Sequence, residues 1–305
     1  MAYYLGIDTS NYTTSCALYD TDTNTVLQKK KLLPVAEGAL GLRQSDAVFH
    51  HTVQLPQLLT ELFSGFDGKI EGVGVSDAPL RAKGSYMPCF LAGVSAATAI
   101  SASSGVPLHK FSHQQGHLMA ALYSSDKEEL FGQRFLAFHV SGGTTQLLMV
   151  DEKLDAELIA SSLDLKAGQA VDRLGVLLGF PFPAGKYVDQ LACNSDKEFK
   201  INIKLKDGNC SLSGVENQYR KMLEAGEKHE DVCRYCLEYI SAALNKMAVF
   251  AAERYGELPI LFSGGVMSSV FMREKLSEKL NAHFAAPEFS SDNAAGIAIL
   301  TSKGK

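Results

Sequence analysis

Apolar positions along this chain follow two rhythms. "YYLGID" (3–8), "TTSCALYD" (13–20) and "TVLQKKKL" (25–32) are β-rich runs separated by the polar turns "TSNY" and "TDTN". This spacing predicts a meander of hairpin-linked strands. A helical rhythm follows over 46–64, where Pro56 is expected to kink or divide the helix. A short apolar strand is predicted at 70–76, and a helix of small residues at 89–105 that Gly105 and Pro107 end. "VPLHKFS" then reads as a strand and "FSHQQGHLMAALY" (111–123) as a helix. The pattern then begins again. "RFLAFHV" (134–140), the turn "SGGT" and "TQLLMVD" (145–151) repeat the opening design of strand, turn, strand. Helices are predicted at 167–178, 184–194 and 229–254. "LPILFSGGVMSSVFMREKL" reads as strand, double glycine and an immediate helix, and "SSDNAAGIAILTSK" opens a last helix over about 292–303.

Two such units in 305 residues predict an α/β protein of two lobes with a cleft between them. The predicted N-terminal lobe spans 1–108 and the C-terminal lobe 109–305, with the last helix packing back on the first lobe. Composition narrows the class. A net charge of −5 carries no basic footprint of a nucleic-acid binder, although "QKKK" (28–31) and "RAK" (81–83) offer local positive charge or solvated loop lysines. The opening lacks the features of a signal peptide, and no apolar run reaches the roughly 18 residues of a membrane span. Six scattered cysteines point to a reducing, cytoplasmic setting. Cys233 and Cys236 form a CxxC within a helix, which reads as packing or as a redox pair; a second pair for a zinc site is missing.

Candidate chemistry sits at the glycines and histidines. "VSGGTTQ" and "FSGGVMSS" each place paired glycines after an apolar strand, where backbone can approach a ligand and aim N–H groups at phosphate. A helix starting at once after the second would add its N-terminus. Neither is a Walker or GxGxxG pattern. His113 and His117 share a helix face, so both imidazoles can reach one ion, or the pair is a surface or packing feature. The zincin glutamate is absent, since Gln114 follows the first histidine and cannot accept a proton.

Taken together, "LGIDTSNYTTSCALYD", "SHQQGHL", "HVSGGTTQLL", "LDLKAGQAVDRLGVLLGFPFPAGKYVDQLA" and "FSGGVMSSVFMREKL" with "FSSDNAAGIA" resemble one family across nearly the whole chain. It is the TsaD (Gcp, glycoprotease) family, the catalytic subunits of tRNA threonylcarbamoyladenosine synthase. The resemblance implies the bilobed ASKHA fold (actin-like ATPase, ribonuclease H-like). It implies a transferase that moves a threonylcarbamoyl group from its adenylate to a tRNA adenosine. Carried over by position, it implies a divalent metal, iron or zinc, on His113, His117 and Asp292. ATP or the adenylate would meet His139, Val140, Ser141, Gly142, Gly143, Asp172, Gly185, Asp189, Gly264, Gly265 and Ser269. Asp172 or Asp189 would hold ribose hydroxyls, and tRNA and an ASKHA partner subunit (TsaB-like) or a second copy are the implied partners.

The chain departs from the family at polar positions. The family's Asp–Glu pair is Tyr12–Thr13 here. Thr144 replaces a histidine, Gln115 and Gln169 replace glutamates, Ser269 an asparagine and Glu216 a lysine. Asp8 is the remaining acid of the first turn and the expected catalytic carboxylate. Retained metal positions favour the transferase. The exchanged acid/base groups favour a second reading, a non-catalytic nucleotide-binding partner subunit. The old endopeptidase reading ranks last, because the histidines lack a glutamate base.

Overall fold

The computed structural model describes residues 2–10, 12–34, 42–290 and 292–304, so Asn11 of the first predicted turn lies outside the described residues. The chain separates into two compact units, Met1–Phe131 with Ser291–Lys305, and Gly132–Ser290.

In the first unit the predicted meander is present as β1 (Tyr3–Ser10), β2 (Thr13–Asp20) and β3 (Thr25–Leu32), joined antiparallel. β4 (Ile70–Ala78) and β5 (Leu108–Ser112) extend the sheet in parallel, giving the order β3-β2-β1-β4-β5. Leu5 and Ile7 of β1 and Cys16 and Leu18 of β2 pack on Leu55, Leu58 and Leu62 of α1 (Gln44–Leu62) and Ala97 of α2 (Phe90–Ser104). That apolar seam runs on both sides of Pro56, and α1 is continuous through it, contrary to the expected division. Burial of the helix's inner face outweighs the one backbone hydrogen bond a proline removes.

α3 (His113–Ser124) and α9 (Ala295–Ser302) also belong to this unit and pack on each other. Their contact depends on Gly296: a Cβ there would lie 1.9 Å from the Gly116 carbonyl oxygen. The boundary expected at residue 108 is therefore misplaced. "LHKFS" is a parallel edge strand bonded to β4, and α3 follows directly from it, so the chain leaves the first unit only after Phe131. α9 begins later than the predicted 292, because Asn293 accepts the Ala295 N–H (3.0 Å) while Asp292 stands before the helix.

The second unit repeats the plan. β6 (Phe135–Val140), β7 (Thr145–Val150) and β8 (Ala156–Ser161) are antiparallel neighbours. β9 (Ile260–Ser263) and β10 (Ala282–Phe284) run parallel to β6, in the order β10-β9-β6-β7-β8. Each unit thus has a first strand flanked by an antiparallel hairpin on one side and a parallel pair on the other. Helices α4 (Ala167–Leu177), α5 (Gly185–Cys193), α6 (Ser213–Glu224) and α8 (Val270–Ser277) pack on the long α7 (His229–Tyr255). Cys233 and Cys236 are buried in the α7 core, and burial pushes the Cys233 thiol up to about 12, so the CxxC serves packing. β8, α6 and β10 have no counterpart in the sequence reading. The lysines of "QKKK" line the edge strand β3, and Arg81 of "RAK" is paired with Asp77 at 2.8 Å. Among the described residues no helix is long and apolar enough to cross a membrane.

Candidate functional site

The histidine helix owes its start to local chemistry. Ser112 accepts the Gln115 N–H, and the Gln115 side chain accepts the Ser112 N–H, forming a reciprocal capping box. Gln115 also accepts from Arg81, at 3.3 Å. The side chain at the position that carries glutamate in the family is therefore engaged in starting α3. One turn fixes His113 and His117 on the same face, and their rings meet edge to face with centroids 4.4 Å apart. Asp292, at the approach to α9, completes the group. His117 Nε2 lies 2.9 Å from His113 Nε2 and 3.1 Å from Asp292 Oδ1. His113 Nε2 lies 3.5 Å from the same carboxylate oxygen. The three ligand atoms fall within 4.8 Å of one another, and the side chains keep 21–31% of their surface exposed.

Asp8 stands behind this face. Its Oδ1 accepts from Ser76 and lies 3.0 Å from His113 Nδ1. A carboxylate on Nδ1 fixes the tautomer and leaves Nε2 to face outward. Asp8 is fully buried, and its Oδ2 has no hydrogen-bond partner among the described residues. Burial disfavours its charge, yet the His113 charge and hydrogen bond hold the carboxyl below its usual range. The same opposition acts on Asp292: burial raises it, and the two histidines hold it far below the carboxylate range. Burial disfavours charge on His113 too, but the carboxylates of Asp8 and Asp292 push it up to about 10. With two acids converging on it, the group gathers negative charge around nitrogen lone pairs. Either a proton on His113 or a cation at the Nε2 atoms offsets that charge. Two imidazoles and a carboxylate with an orienting acid behind them fit a borderline divalent cation, and the orphaned Asp8 oxygen adds unspent acceptor capacity. Thr13, where the family has an acid, donates to the other Asp292 oxygen at 3.3 Å, leaving Oδ1 to the histidines.

In the second unit a cavity of about 680 Å³ opens beside the glycine turns. Its lining brings together Gly142, Asp172, Gly185, Asp189, Gly265 and Ser269 from the expected nucleotide set. His139, Val140, Ser141, Gly143 and Gly264 lie outside the lining, and they build the turns instead. His139 contacts Ser263 at 3.2 Å across the β6–β9 register, and Val140 is buried. The Ser141 hydroxyl accepts the Gly143 and Thr144 N–H groups and pairs with the Thr144 hydroxyl at 2.8 Å. Gly264 has φ +98°, and a Cβ there would lie 2.3 Å from the Val140 carbonyl oxygen, so this glycine lets the two turns touch.

Two expectations at this pocket are corrected. The second double glycine leads into a short 3-10 turn (Gly265–Ser268), and α8 starts only at Val270. Its first N–H groups are already bonded: Asp189 accepts from Val270 N, Phe271 N and the Ser269 hydroxyl. The first N–H groups of that helix are thus spent on side chains and are not free for an anion, and Asp189 takes three donors from the α8 start. Asp172 gives one oxygen to the Ala184 N–H (2.9 Å), and its other oxygen has no bond among the described residues. Sequence reasoning missed Phe182, Pro183, Lys186, Gln190, Val266 and Val270, all of which line the pocket. Lys186 and Gln190 carried a signal, since each follows an expected position, Gly185 or Asp189, by one residue on α5.

The family model for TsaD, tRNA N6-adenosine threonylcarbamoyltransferase, matches residues 36–299. A tRNA N6-adenosine threonylcarbamoyltransferase of Chloroherpeton thalassium is 31% identical over 235 residues, 69% of this chain and 66% of that relative. One from Methylobacillus flagellatus is 28% identical, with 97% of this chain and 90% of the relative covered. Among solved structures, component A of the (R)-2-hydroxyglutaryl-CoA dehydratase of Acidaminococcus fermentans superposes with a TM-score of 0.57 at 15% identity, covering 100% of this chain and 99% of that one. Full-length HypF in its phosphate- and nucleotide-bound form gives 0.58 at 13% identity, covering 97% of this chain and 54% of that one. These likenesses establish the actin-like ATPase fold. The match over residues 36–299 and the identity to curated relatives make this chain a member of the TsaD family, the tRNA N6-adenosine threonylcarbamoyltransferases.

Proposed function

We propose that this chain transfers a threonylcarbamoyl group from its adenylate to the N6 amine of a tRNA adenosine, and that the reaction depends on a divalent metal. The observation that carries the metal part is the convergence of His113 Nε2, His117 Nε2 and Asp292 Oδ1 on one point. A divalent ion held there, iron or zinc, supplies Lewis-acid polarisation of a bound oxygen. Asp8 orients the His113 ring through Nδ1 and, being fully buried, takes a positioning role in place of the catalytic one expected of it. In transfer, the N6 nitrogen bonds the carbamoyl carbon, the bond to the adenylate phosphate oxygen breaks, AMP leaves with the electron pair, and the N6 proton passes to the released phosphate. Asp172, with one uncommitted oxygen, is the carboxylate in the pocket suited to ribose hydroxyls. The glycine turn at Gly142 allows backbone to approach a phosphate. A tRNA acceptor fits a cytoplasmic enzyme, with an ASKHA subunit or a second copy as the protein partner.

A second reading, a nucleotide-binding subunit without catalysis, draws on the occupied Gln115 and the fully buried Asp8, which leave the histidine face without an accessible carboxylate base besides the candidate metal ligand Asp292. The same arrangement disfavours a peptidase, which needs such a base. Genetic complementation separates the two. In a strain lacking its own synthase, this gene is expected to restore threonylcarbamoyladenosine in digested tRNA, and a His117→Ala version is not. Soluble, nucleotide-binding protein that restores none would establish the partner reading instead.

A further inference from the structure

The pocket of the second unit holds a charge that the ribose and glycine-turn contacts leave without a task. Among the described residues that line it, three are charged: Asp172, Asp189 and Lys186. Asp189 is committed to the α8 start through Ser269, Val270 and Phe271. Asp172 is half committed, to Ala184. Lys186 makes no side-chain hydrogen bond or ion pair with any described residue, and neither does Gln190 one turn further along α5. Positions i and i+4 share a helix face, and here both residues line the same cavity. The remaining walls are largely apolar, with Val171, Phe182, Pro183, Leu237, Val266 and Val270. Such walls suit a flat base, but they offer nothing to an anion, and the free Asp172 oxygen repels one.

We infer that Lys186 is the specificity-determining residue of this pocket: it meets the negative group carried by a bound nucleoside, so that nucleotides are taken in preference to neutral nucleosides. This rests on the nucleotide reading of the pocket proposed above. An ammonium on a long stem is a mobile point charge that can follow a ligand's anionic group within the cavity it lines. Gln190, with both a donor and an acceptor, completes the same wall without adding charge.

Calorimetric titration of the full chain with adenosine and with AMP tests this at low salt. The wild type is expected to bind AMP about tenfold more tightly than adenosine, the scale of one hydrogen bond to a charged group. Lys186→Ala is expected to reduce that preference to about twofold while leaving adenosine affinity unchanged, and Lys186→Arg to retain it. An unchanged AMP preference in Lys186→Ala, or an equal loss for both ligands, overturns the inference and leaves the nucleotide pocket standing. If neither ligand binds the wild type, the nucleotide reading itself fails and takes the inference with it.

Discussion

The four-residue spacing of His113 and His117 was legible as a shared helix face, but it could not say what faces them. Asp292 is 175 residues from His117, and only resemblance brought it into the set before the structure placed it 3.1 Å from the His117 ring nitrogen. The depth of Asp8 was invisible in sequence, because an acid after an apolar strand reads the same whether its side chain is open or sealed. The capping role of Gln115 stayed hidden for a related reason: capping is settled by a backbone N–H within hydrogen-bond reach, here at 2.9 Å, and not by residue type. His51 is a further buried group with a measurable consequence. It is fully buried on α1, with Nδ1 2.8 Å from the Thr14 hydroxyl, and burial lowers its pKa to about 4. The unfolded chain takes up a proton near pH 6.5 where the folded one does not, so stability is complete above that pH. It is lost as the pH falls from about 6.5 towards 4. Between pH 7 and 5 this histidine should cost about 2 kcal/mol. Urea unfolding at the two pH values checks this, and His51→Gln should remove that part of the slope.

Strand and helix identity followed well from periodicity where elements alternate strictly or run long. The misses have physical causes. β10 is three residues long, and α6 has no apolar run to announce it. α1 passes through Pro56 because its buried seam, not its local propensity, holds the axis. The glycines in "HQQGH" and "NAAGIA" look alike in sequence, yet they are where α3 and α9 touch, which brings both segments of the candidate metal site together. Gly296→Ala should therefore force the helices apart, costing about 1–3 kcal/mol as overpacking does. It should also weaken metal binding although it alters no ligand. Thermal unfolding with metal analysis measures both effects. Gly143→Ala, where an added Cβ meets nothing within 4 Å, is the comparison expected to change stability by less than about 0.5 kcal/mol.

Across the chain, the repeat of strand, turn, strand was visible as two similar stretches, and the structure extends it to two sheets of the same strand order. The boundary between units was not visible, because a parallel edge strand such as β5 carries no mark of the sheet it joins. Nor did sequence alone show which of the glycine-turn residues would line a pocket and which would hold the turns together. Metal-dependent transfer to tRNA is tested by following label from threonylcarbamoyl-adenylate into unmodified tRNA. The measurement uses metal-loaded protein together with any subunit that co-purifies with it. Wild-type protein is predicted to label the tRNA. His113→Ala and His117→Ala are each predicted to lose both the metal and the labelling. Unlabelled tRNA with wild-type protein that carries stoichiometric metal and binds the adenylate would rule this activity out.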